Sequence, residues 1–277
     1  MTPLTLRCGA TTCEVAPAVG GALLSLTVGG VPVLRPTSHN TTNVLDTACF
    51  PLVPFANRID EGRFVFRGIE VILPEDPSAS PHAHHGHGWR RSWAVDRTAD
   101  HCADLSLVHE RDEWPWRYRA TQNITATAEG VIVTLTLYNL DDAPMPAGLG
   151  LHPFFPRAPD SQIALDARER LLTDERDIPT TRVPFVPGDY AVSGLEEADN
   201  LMLGGQGNVR VSGDVGITRI NAIGAIGFHL YVPSGQPFFC VEPVTHAPNS
   251  FRSERPKEVL TPGAAASLQM EITHSLS

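Results

Sequence analysis

The run 131–138 reads Val-Ile-Val-Thr-Leu-Thr-Leu-Tyr and predicts a β-strand more strongly than any other part of the chain. Its odd-numbered residues are all aliphatic, whereas Thr134 and Thr136 point the other way. A period of two is that of a strand with one buried face. Outward from this run, Pro and Gly are frequent and evenly spread, which is typical of many short strands joined by turns. The sequence therefore predicts an all-β protein.

Further strands are predicted wherever β-rich runs lie between such turns. They are 4–15, 22–28, 31–34, 92–97, 103–110, 117–125, 209–212, 217–222, 227–232, 238–242 and 266–272. A hairpin is predicted from 63–66 and 69–73, which flank Arg67-Gly68. Helix is expected to be scarce, and only 166–174 is charged enough for a short one. Because no linker or internal repeat is visible, we expect residues 1–277 to form one domain, a large β-sandwich with long loops.

Composition limits the classes of function. The chain has 277 residues, 42% hydrophobic and 19% charged, which fits a globular protein. A net charge of -10 without a basic block argues against a nucleic-acid partner. No secretory signal and no apolar run of about 20 residues is visible, so we expect a cytoplasmic protein with no membrane partner. The five cysteines show no CxxC spacing, so neither a disulfide framework nor a Cys-based zinc site is expected.

Two ionisable residues interrupt apolar runs that carry a proline. His152 lies in 148–156, Gly-Leu-Gly-Leu-His-Pro-Phe-Phe-Pro, and Glu242 lies in 238–246, Phe-Phe-Cys-Val-Glu-Pro-Val-Thr-His. Gly148 and Gly150 lower the steric barrier to the close approach of another group. Taken alone, the histidine has even odds of being an ordinary core residue. An imidazole and a carboxylate brought together across a fold would form an acid–base pair.

Asn57 and Arg58 follow another apolar run and precede a turn. The guanidinium offers five fixed donors, which suit a hydroxyl-rich or carboxylate ligand. The alternative is a turn asparagine next to an arginine that is paired with Asp60 or Glu61.

Four histidines, at positions 82, 84, 85 and 87, precede Trp89-Arg90-Arg91. Their density suggests a metal site, but no carboxylate follows at a ligand spacing. A solvated loop is the second interpretation. The third is a sugar site, with an imidazole donor and Trp89 as an apolar wall. A last stretch, 196–201, is typical of a surface turn when taken alone.

Together these stretches resemble the landmarks of the aldose 1-epimerases, the galactose mutarotase-like family. The four runs that carry the resemblance are 57–59, 85–89, 148–154 and 242–246, in the family's order and at its rough spacings. The last run is similar to that of a bacterial subgroup with an EPVSH-type ending. The resemblance implies a β-supersandwich that interconverts sugar anomers with no cofactor and no metal.

The resemblance also implies roles for individual residues. His152 would be the general acid at the ring oxygen, and Glu242 would be the general base at the anomeric hydroxyl. Arg58 and His85, with Asn57, would bind sugar hydroxyls. Asp199 would hold a hydroxyl on the far side, although Asn200 fits the family pattern there only loosely. A carboxylate and a protonated imidazole suffice for both transfers if their pKa values bracket the working pH.

Other functions stay open at this point. Arg90 and Arg91 would let the same fold bind an anionic sugar, or they pair with surface carboxylates. A sugar-binding module or sensor without turnover has the same fold, although it has no need of an acid–base pair. The expected partner is a small-molecule sugar of unspecified identity, and the chain either forms a homodimer or stays a monomer.

Overall fold

The computed structural model describes residues 2–38, 40–253 and 259–276, and this part of the chain is built from β-strands. Within it helix is limited to single 3-10 turns, and no helix has the length and apolarity to cross a bilayer. These turns are Val44–Asp46, Asp60–Gly62, Gly88–Arg90, Val192–Leu195 and Ser250–Arg252. The all-β class predicted from the sequence is confirmed.

The strands form two large antiparallel sheets and three small two-stranded ones. In chain order they are β1 (Leu4–Cys8), β2 (Thr11–Ala16), β3 (Ala22–Val28), β4 (Val31–Pro32), β5 (Cys49–Leu52), β6 (Arg58–Ile59), β7 (Arg63–Phe66), β8 (Ile69–Ile72), β9 (Ala83–His84), β10 (Ala94–Ala99), β11 (Cys102–His109), β12 (Tyr118–Thr127), β13 (Gly130–Asn139), β14 (Met145–Pro146), β15 (Gly150–Pro156), β16 (Gln162–Leu165), β17 (Glu169–Thr173), β18 (Pro179–Pro184), β19 (Gly188–Ala191), β20 (Asp199–Leu203), β21 (Asn208–Gly213), β22 (Gly216–Ile223), β23 (Gly227–Tyr231), β24 (Phe238–Val244), β25 (Val259–Leu260) and β26 (Ala265–Ser275). The larger sheet has the order β1-β2-β3-β5-β15-β24-β23-β20-β17-β18, with β4 beside β3. The smaller has the order β10-β11-β12-β13-β26-β22-β21-β16-β19.

The sandwich interior is formed where β12 and β13 of the smaller sheet contact β2 and β3 of the larger one. The odd-numbered aliphatic residues of β13 are buried there, and Thr134 and Thr136 are only half buried on the other face. In the run 131–138, the odd-numbered aliphatic residues therefore face the core and the threonines face the outer side of the sheet, as the period of two predicts.

The middle strands of the larger sheet, β15 and β24, are buried on both faces. Leu151 and Val241 belong to the main core between the sheets, whereas Phe154 and Cys240 belong to a second, smaller apolar cluster on the opposite face. His152 and Glu242 alternate with the main-core residues and so lie on this second face. The fold thus brings two ionisable groups into an apolar layer outside the main core.

Two predictions of local structure are wrong. The segment 4–15 is two strands, β1 and β2, because the chain turns at Gly9-Ala10, where Gly9 has φ +56°. The segment 166–174 contains no helix, since Glu169–Thr173 pairs as β17 with strands on both sides. Helix propensity is a weak prior, and tertiary pairing overrides it here.

Other predictions hold or need small corrections. The hairpin is confirmed, and Arg67 and Gly68 have φ values of 50° and 84°, as its tight turn requires. Asp199 does not lie in a surface turn, because it begins β20. The predicted strand 31–34 ends at Pro32, and the strand predicted at 92–97 covers Ala94–Ala99.

Candidate active site

A cavity of about 260 Å³ opens on the second face of the larger sheet. All the site residues predicted from the sequence line it, namely Asn57, Arg58, His85, His152, Asp199 and Glu242. The remaining lining residues are Leu45, Ser78, His84, Phe154, His229, Tyr231 and Phe238. Residues from six strands and several loops therefore meet at one concave, partly apolar place, which is the usual form of a small-molecule site.

A row of side chains across neighbouring strands forms the floor of the cavity. The antiparallel register of Gly150–Pro156 with Phe238–Val244 puts His152 opposite Glu242. His152 Nε2 lies 3.2 Å from Glu242 Oε1, and both side chains are buried. On the other side, Glu242 is paired with His229 of β23. Directly opposed residues share one face of a sheet, so these three groups point the same way.

His152 packs against two neighbouring aromatic rings, which also contact each other at 5.9 Å. Phe50 and Phe154 each lie 4.6 Å from the imidazole, nearly parallel to it. The guanidinium of Arg35 covers the far side of Phe154 at 3.8 Å. Burial lowers the pKa of His152 to about 3, and the nearby His84, His229 and Arg35 also disfavour a charged ring. The imidazole is thus packed against aromatic rings and mostly neutral at neutral pH.

Glu242 shows the opposite shift. Burial raises its pKa to about 8, and the charge of Asp199 adds to this, whereas His229 and Arg58 oppose it. At neutral pH the pair of His152 and Glu242 therefore carries one proton in total. Because the two groups are coupled, the apparent pKa values belong to the pair rather than to either residue alone.

His85 is oriented by a reciprocal backbone contact with Asn57. The Asn57 N–H donates to His85 Nδ1 at 3.0 Å, and the His85 N–H donates to the Asn57 carbonyl at 3.0 Å. Both residues have a left-handed φ of 59°. Since Nδ1 accepts, the ring proton of the neutral imidazole is on Nε2. Burial, with His84, holds the pKa of His85 well below its usual range, so the ring is a neutral hydrogen-bond donor.

The tautomer of His85 bears on the metal question. His85, His152 and Glu242 offer ligand atoms within 4.8 Å of one another. A metal needs a lone pair on His85 Nε2, yet this nitrogen carries the ring proton as long as Nδ1 accepts from Asn57. The donor set therefore suits acid–base chemistry better than metal ligation.

The histidine-rich segment does not lie in solvent, and two of its histidines have partners outside the cavity. His82 is buried, and its ring bonds the Glu61 N–H and the Arg176 carbonyl. His87 Nε2 lies 2.6 Å from the Tyr118 hydroxyl, away from the cavity. The solvated-loop interpretation is wrong for His82 and His85, which are both buried.

Arg58 does not pair with the nearby carboxylates that the sequence offers as an alternative. Its guanidinium lies 3.3 Å from Asp199 and 3.1 Å from Asp177, not against Asp60 or Glu61. Both partners are more than 100 residues away in the chain, so only the fold brings them to the cavity.

Asp199 also contacts His229, whose Nε2 bonds Asp199 Oδ1. Burial would raise the pKa of Asp199, but the contacts with His229 and Arg58 outweigh it and hold this pKa below its usual range. Asp199 therefore stays a carboxylate, which contacts both Arg58 and the ring of His229.

Arg90 and Arg91 do not line the cavity. Arg90 lies 2.6 Å from the buried Asp76, and Arg91 lies 3.6 Å from Asp112. Trp89 is not a wall of the site either, because it is buried behind Phe50 with a ring distance of 5.3 Å. The aromatic residues that line the cavity are instead Phe154, Tyr231 and Phe238.

The close approach expected at Gly148 is present. A Cβ there would lie 2.1 Å from the ring of His246. His246 Nε2 in turn accepts the Ala56 N–H at 2.9 Å, immediately before Asn57 and Arg58. His246 is therefore a buried structural residue that holds the loop carrying Asn57 and Arg58.

Sequence reasoning missed His229, Tyr231 and Phe238 as site residues. The signal at His229 was a single polar residue inside the apolar run Phe228–Val232, the same kind of interruption that marked Glu242. Tyr231 and Phe238 gave no such signal, since aromatic residues are common on buried strands.

The family model described as aldose 1-epimerase matches residues 4–191. The chain belongs to the aldose 1-epimerase family. It is 29% identical over 98% of both chains to the uncharacterised protein YphB of Escherichia coli K12. The crystal structure of an aldose 1-epimerase candidate from the same strain superposes with a TM-score of 0.90, at 26% identity and covering 100% of this chain and 99% of that one.

More distant structures share the fold of this family member. The GalM/aldose epimerase homologue of C. elegans gives a TM-score of 0.85 at 17% identity, with 99% of each chain covered. A galactose mutarotase-like protein of Clostridium acetobutylicum gives 0.86 at 16% identity, over 99% of this chain and 95% of that one. The galactose mutarotase-like fold expected from the sequence is confirmed.

Proposed function

We propose that the protein is an aldose 1-epimerase that interconverts the α and β anomers of a neutral aldose by acid–base ring opening, without a metal or a cofactor. The observation that carries the proposal is the pair of His152 Nε2 and Glu242 Oε1, 3.2 Å apart at the floor of a monosaccharide-sized cavity. Such a pair supplies the two proton transfers that ring opening needs.

In the proposed reaction the sugar ring binds over this pair. Transfer of the shared proton from Glu242 to His152 gives a carboxylate and an imidazolium. The carboxylate removes the proton of the C1 hydroxyl while the imidazolium protonates the ring oxygen, so that the bond from C1 to the ring oxygen breaks and an aldehyde forms. Rotation about C1–C2 and the reverse transfers give the other anomer, with no net change in protons.

The other polar groups suit the hydroxyls of a sugar. His85 offers an Nε2–H donor, Arg58 offers guanidinium donors and Asp199 offers carboxylate acceptors. Phe154 and Phe238 line the cavity with aromatic carbon atoms, which suit the C–H groups of the ring. At about 260 Å³ the cavity lies below the ~300–1,000 Å³ typical of sites for drug-sized ligands, which favours a single sugar ring.

A neutral sugar fits the charges better than an anionic one. Arg58 is the single arginine that lines the cavity among the described residues, and Asp199 and Asp177 already pair with it. Arg90 and Arg91 are held outside by Asp76 and Asp112. Among the described residues that line the cavity, a phosphate or sulfonate group would thus meet only a guanidinium that already has carboxylate partners.

The test is a panel of neutral and phosphorylated aldoses, each freshly dissolved as one anomer and followed by polarimetry or by NMR exchange. We expect at least one neutral aldose to equilibrate faster than in buffer alone, and Arg90→Ala plus Arg91→Ala to leave that rate unchanged. Binding without acceleration of any sugar would instead support a sensor. Acceleration of phosphorylated sugars alone, lost in the double arginine variant, would support an anionic substrate.

A further inference from the structure

His229 is a buried histidine of the cavity whose place in the reaction is not accounted for by the acid–base pair. It lies on β23, directly opposite Glu242 in the register of β23 with β24. On its other side its Nε2 bonds the carboxylate of Asp199. A buried imidazole between two carboxylates is an arrangement that favours the charged ring.

The contacts of Asp199 extend this arrangement. Its second oxygen accepts from the guanidinium of Arg58 at 3.3 Å. With a protonated His229, charges of opposite sign alternate from Arg58 through Asp199 to His229, and Glu242 continues this row when it is ionised. In such a row the neighbouring charges compensate each buried charge. An isolated buried carboxylate has no such compensation.

We propose that His229 is a positioning residue of the proposed epimerase reaction: as an imidazolium anchored by Asp199, it stabilises the ionised form of Glu242 that accepts the sugar proton. The role rests on the proposed function, because it acts through the base of that reaction. His229 itself transfers no proton in this scheme. Its charge makes the relocation of the shared proton from Glu242 to His152 less costly.

Charged or titratable groups face His229 from every neighbouring element. They are Asp199 of β20, Glu242 of β24, Arg58 of β6, His84 of β9, His85 after β9 and His152 of β15. Burial lowers the pKa of His229, but Asp199 and Glu242 raise it by more, so that it lies above the ordinary value. Of the imidazoles around the cavity, His84, His85 and His152 have lowered pKa values and stay neutral.

A charged His229 and a merely structural His229 predict opposite changes in the pKa of Glu242 when His229 is replaced. An opposite charge within about 4–6 Å lowers the pKa of a carboxyl by roughly 1–3 units, and Asp199 offsets part of this effect here. Replacing His229 by glutamine keeps a polar side chain of similar reach but removes the charge. The pKa of Glu242 should then rise by about one unit. A variant that merely loosens the fold would instead let water in and bring this pKa down.

The direct test is an NMR titration of Glu242 in protein labelled at the glutamate carboxyl carbons, with the resonance assigned by its loss in Glu242→Gln. We expect the midpoint in His229→Gln to be about one pH unit above that of the wild type. His101→Gln is the matched control, because His101 is exposed in the turn between β10 and β11. An unmoved or lowered midpoint in His229→Gln would overturn the proposal.

Two further readouts complete the test. In wild-type protein labelled at the histidine ring nitrogens, His229 should be doubly protonated at pH 7 while His152 is neutral, and a neutral His229 would overturn the proposal even if the glutamine variant does not fold. The kcat of His229→Gln should fall by about tenfold, the equivalent of one pKa unit. A wild type that accelerates no sugar would refute the proposed function, whereas the titrations decide the charge of His229 separately.

Discussion

Replacing Gly148 by alanine should destabilise the protein by inserting one carbon atom against the buried His246. The new Cβ would lie 2.1 Å from His246 Cδ2 and 2.2 Å from Nε2, whereas ordinary contacts begin at 3.4 Å. The ring is not free to move away, because Ala56 donates to its Nε2 at 2.9 Å and its Nδ1 bonds the Ala247 carbonyl at 2.8 Å. Phe251 is stacked on it at 5.0 Å.

The size of the effect follows from these contacts. Overpacking a filled interior costs about 1–3 kcal/mol, and leaving the buried Ala56 N–H without a partner adds about 1–3 kcal/mol. We therefore expect Gly148→Ala to lower the free energy of unfolding by about 3 kcal/mol. The matched control is Gly194→Ala, where a Cβ meets no atom within 4 Å, with an expected change below about 0.5 kcal/mol.

Equilibrium urea denaturation of the wild type and both variants is the assay, with the slope m compared to ensure that the same transition is measured. Catalysis should suffer along with stability, because His246 holds the loop that carries Asn57 and Arg58. If Gly148→Ala and Gly194→Ala unfold at the same urea concentration as the wild type, the close packing of Gly148 against His246 is refuted.

Three further predictions concern catalysis. The pair of His152 and Glu242 holds one proton between pKa values of about 3 and about 8, so kcat/KM should be level near neutral pH and fall about tenfold per unit as the pH rises above 8; a rate that stays level to pH 10 after subtraction of the uncatalysed reaction would contradict this. Arg58→Ala should raise KM more than it lowers kcat, measured from initial rates over a range of sugar concentrations, because hydroxyl contacts that are alike in ground and transition state contribute to binding alone; a kcat loss with unchanged KM would argue for a direct catalytic role. Exhaustive chelation with EDTA should leave the rate unchanged, because His85 presents a proton to the cavity rather than a lone pair; a loss restored by one defined metal would refute the acid–base account.

Local patterns were enough to predict the fold class and two of the three ionisable residues on the floor of the cavity. In β13 the alternation of aliphatic and polar residues follows directly from the burial of one face of the sheet. In the hairpin of β7 and β8, the turn is fixed by the positive φ values of Arg67 and Gly68. His152 and Glu242 were recognisable because each interrupts an otherwise apolar strand. Such an interruption must be compensated in the fold, so it marks a position where partners converge.

The rest of the site depends on distances that no local pattern contains. Arg58 finds its partners at Asp177 and Asp199, and the sequence suggested only neighbours in the chain. Trp89 belongs to the layer behind Phe50 instead of the cavity wall, and composition does not specify the layer of a buried aromatic residue. The sequence predicts one strand over 4–15 because both halves of the segment are β-rich, and only the pairing of Leu4 with Val15 reveals the turn between them.

The most direct test of the central claim is the rate of Glu242→Gln on an aldose that the wild type accelerates. Glutamine keeps the shape and hydrogen-bonding capacity of the side chain but removes the group that accepts the proton. General acid–base catalysis contributes about 10²–10⁴-fold, so we expect kcat to fall by that factor while near-UV circular dichroism shows an unchanged fold. A folded Glu242→Gln variant with near-native kcat would show that this carboxyl is structural and that the proposed pair does not carry the reaction.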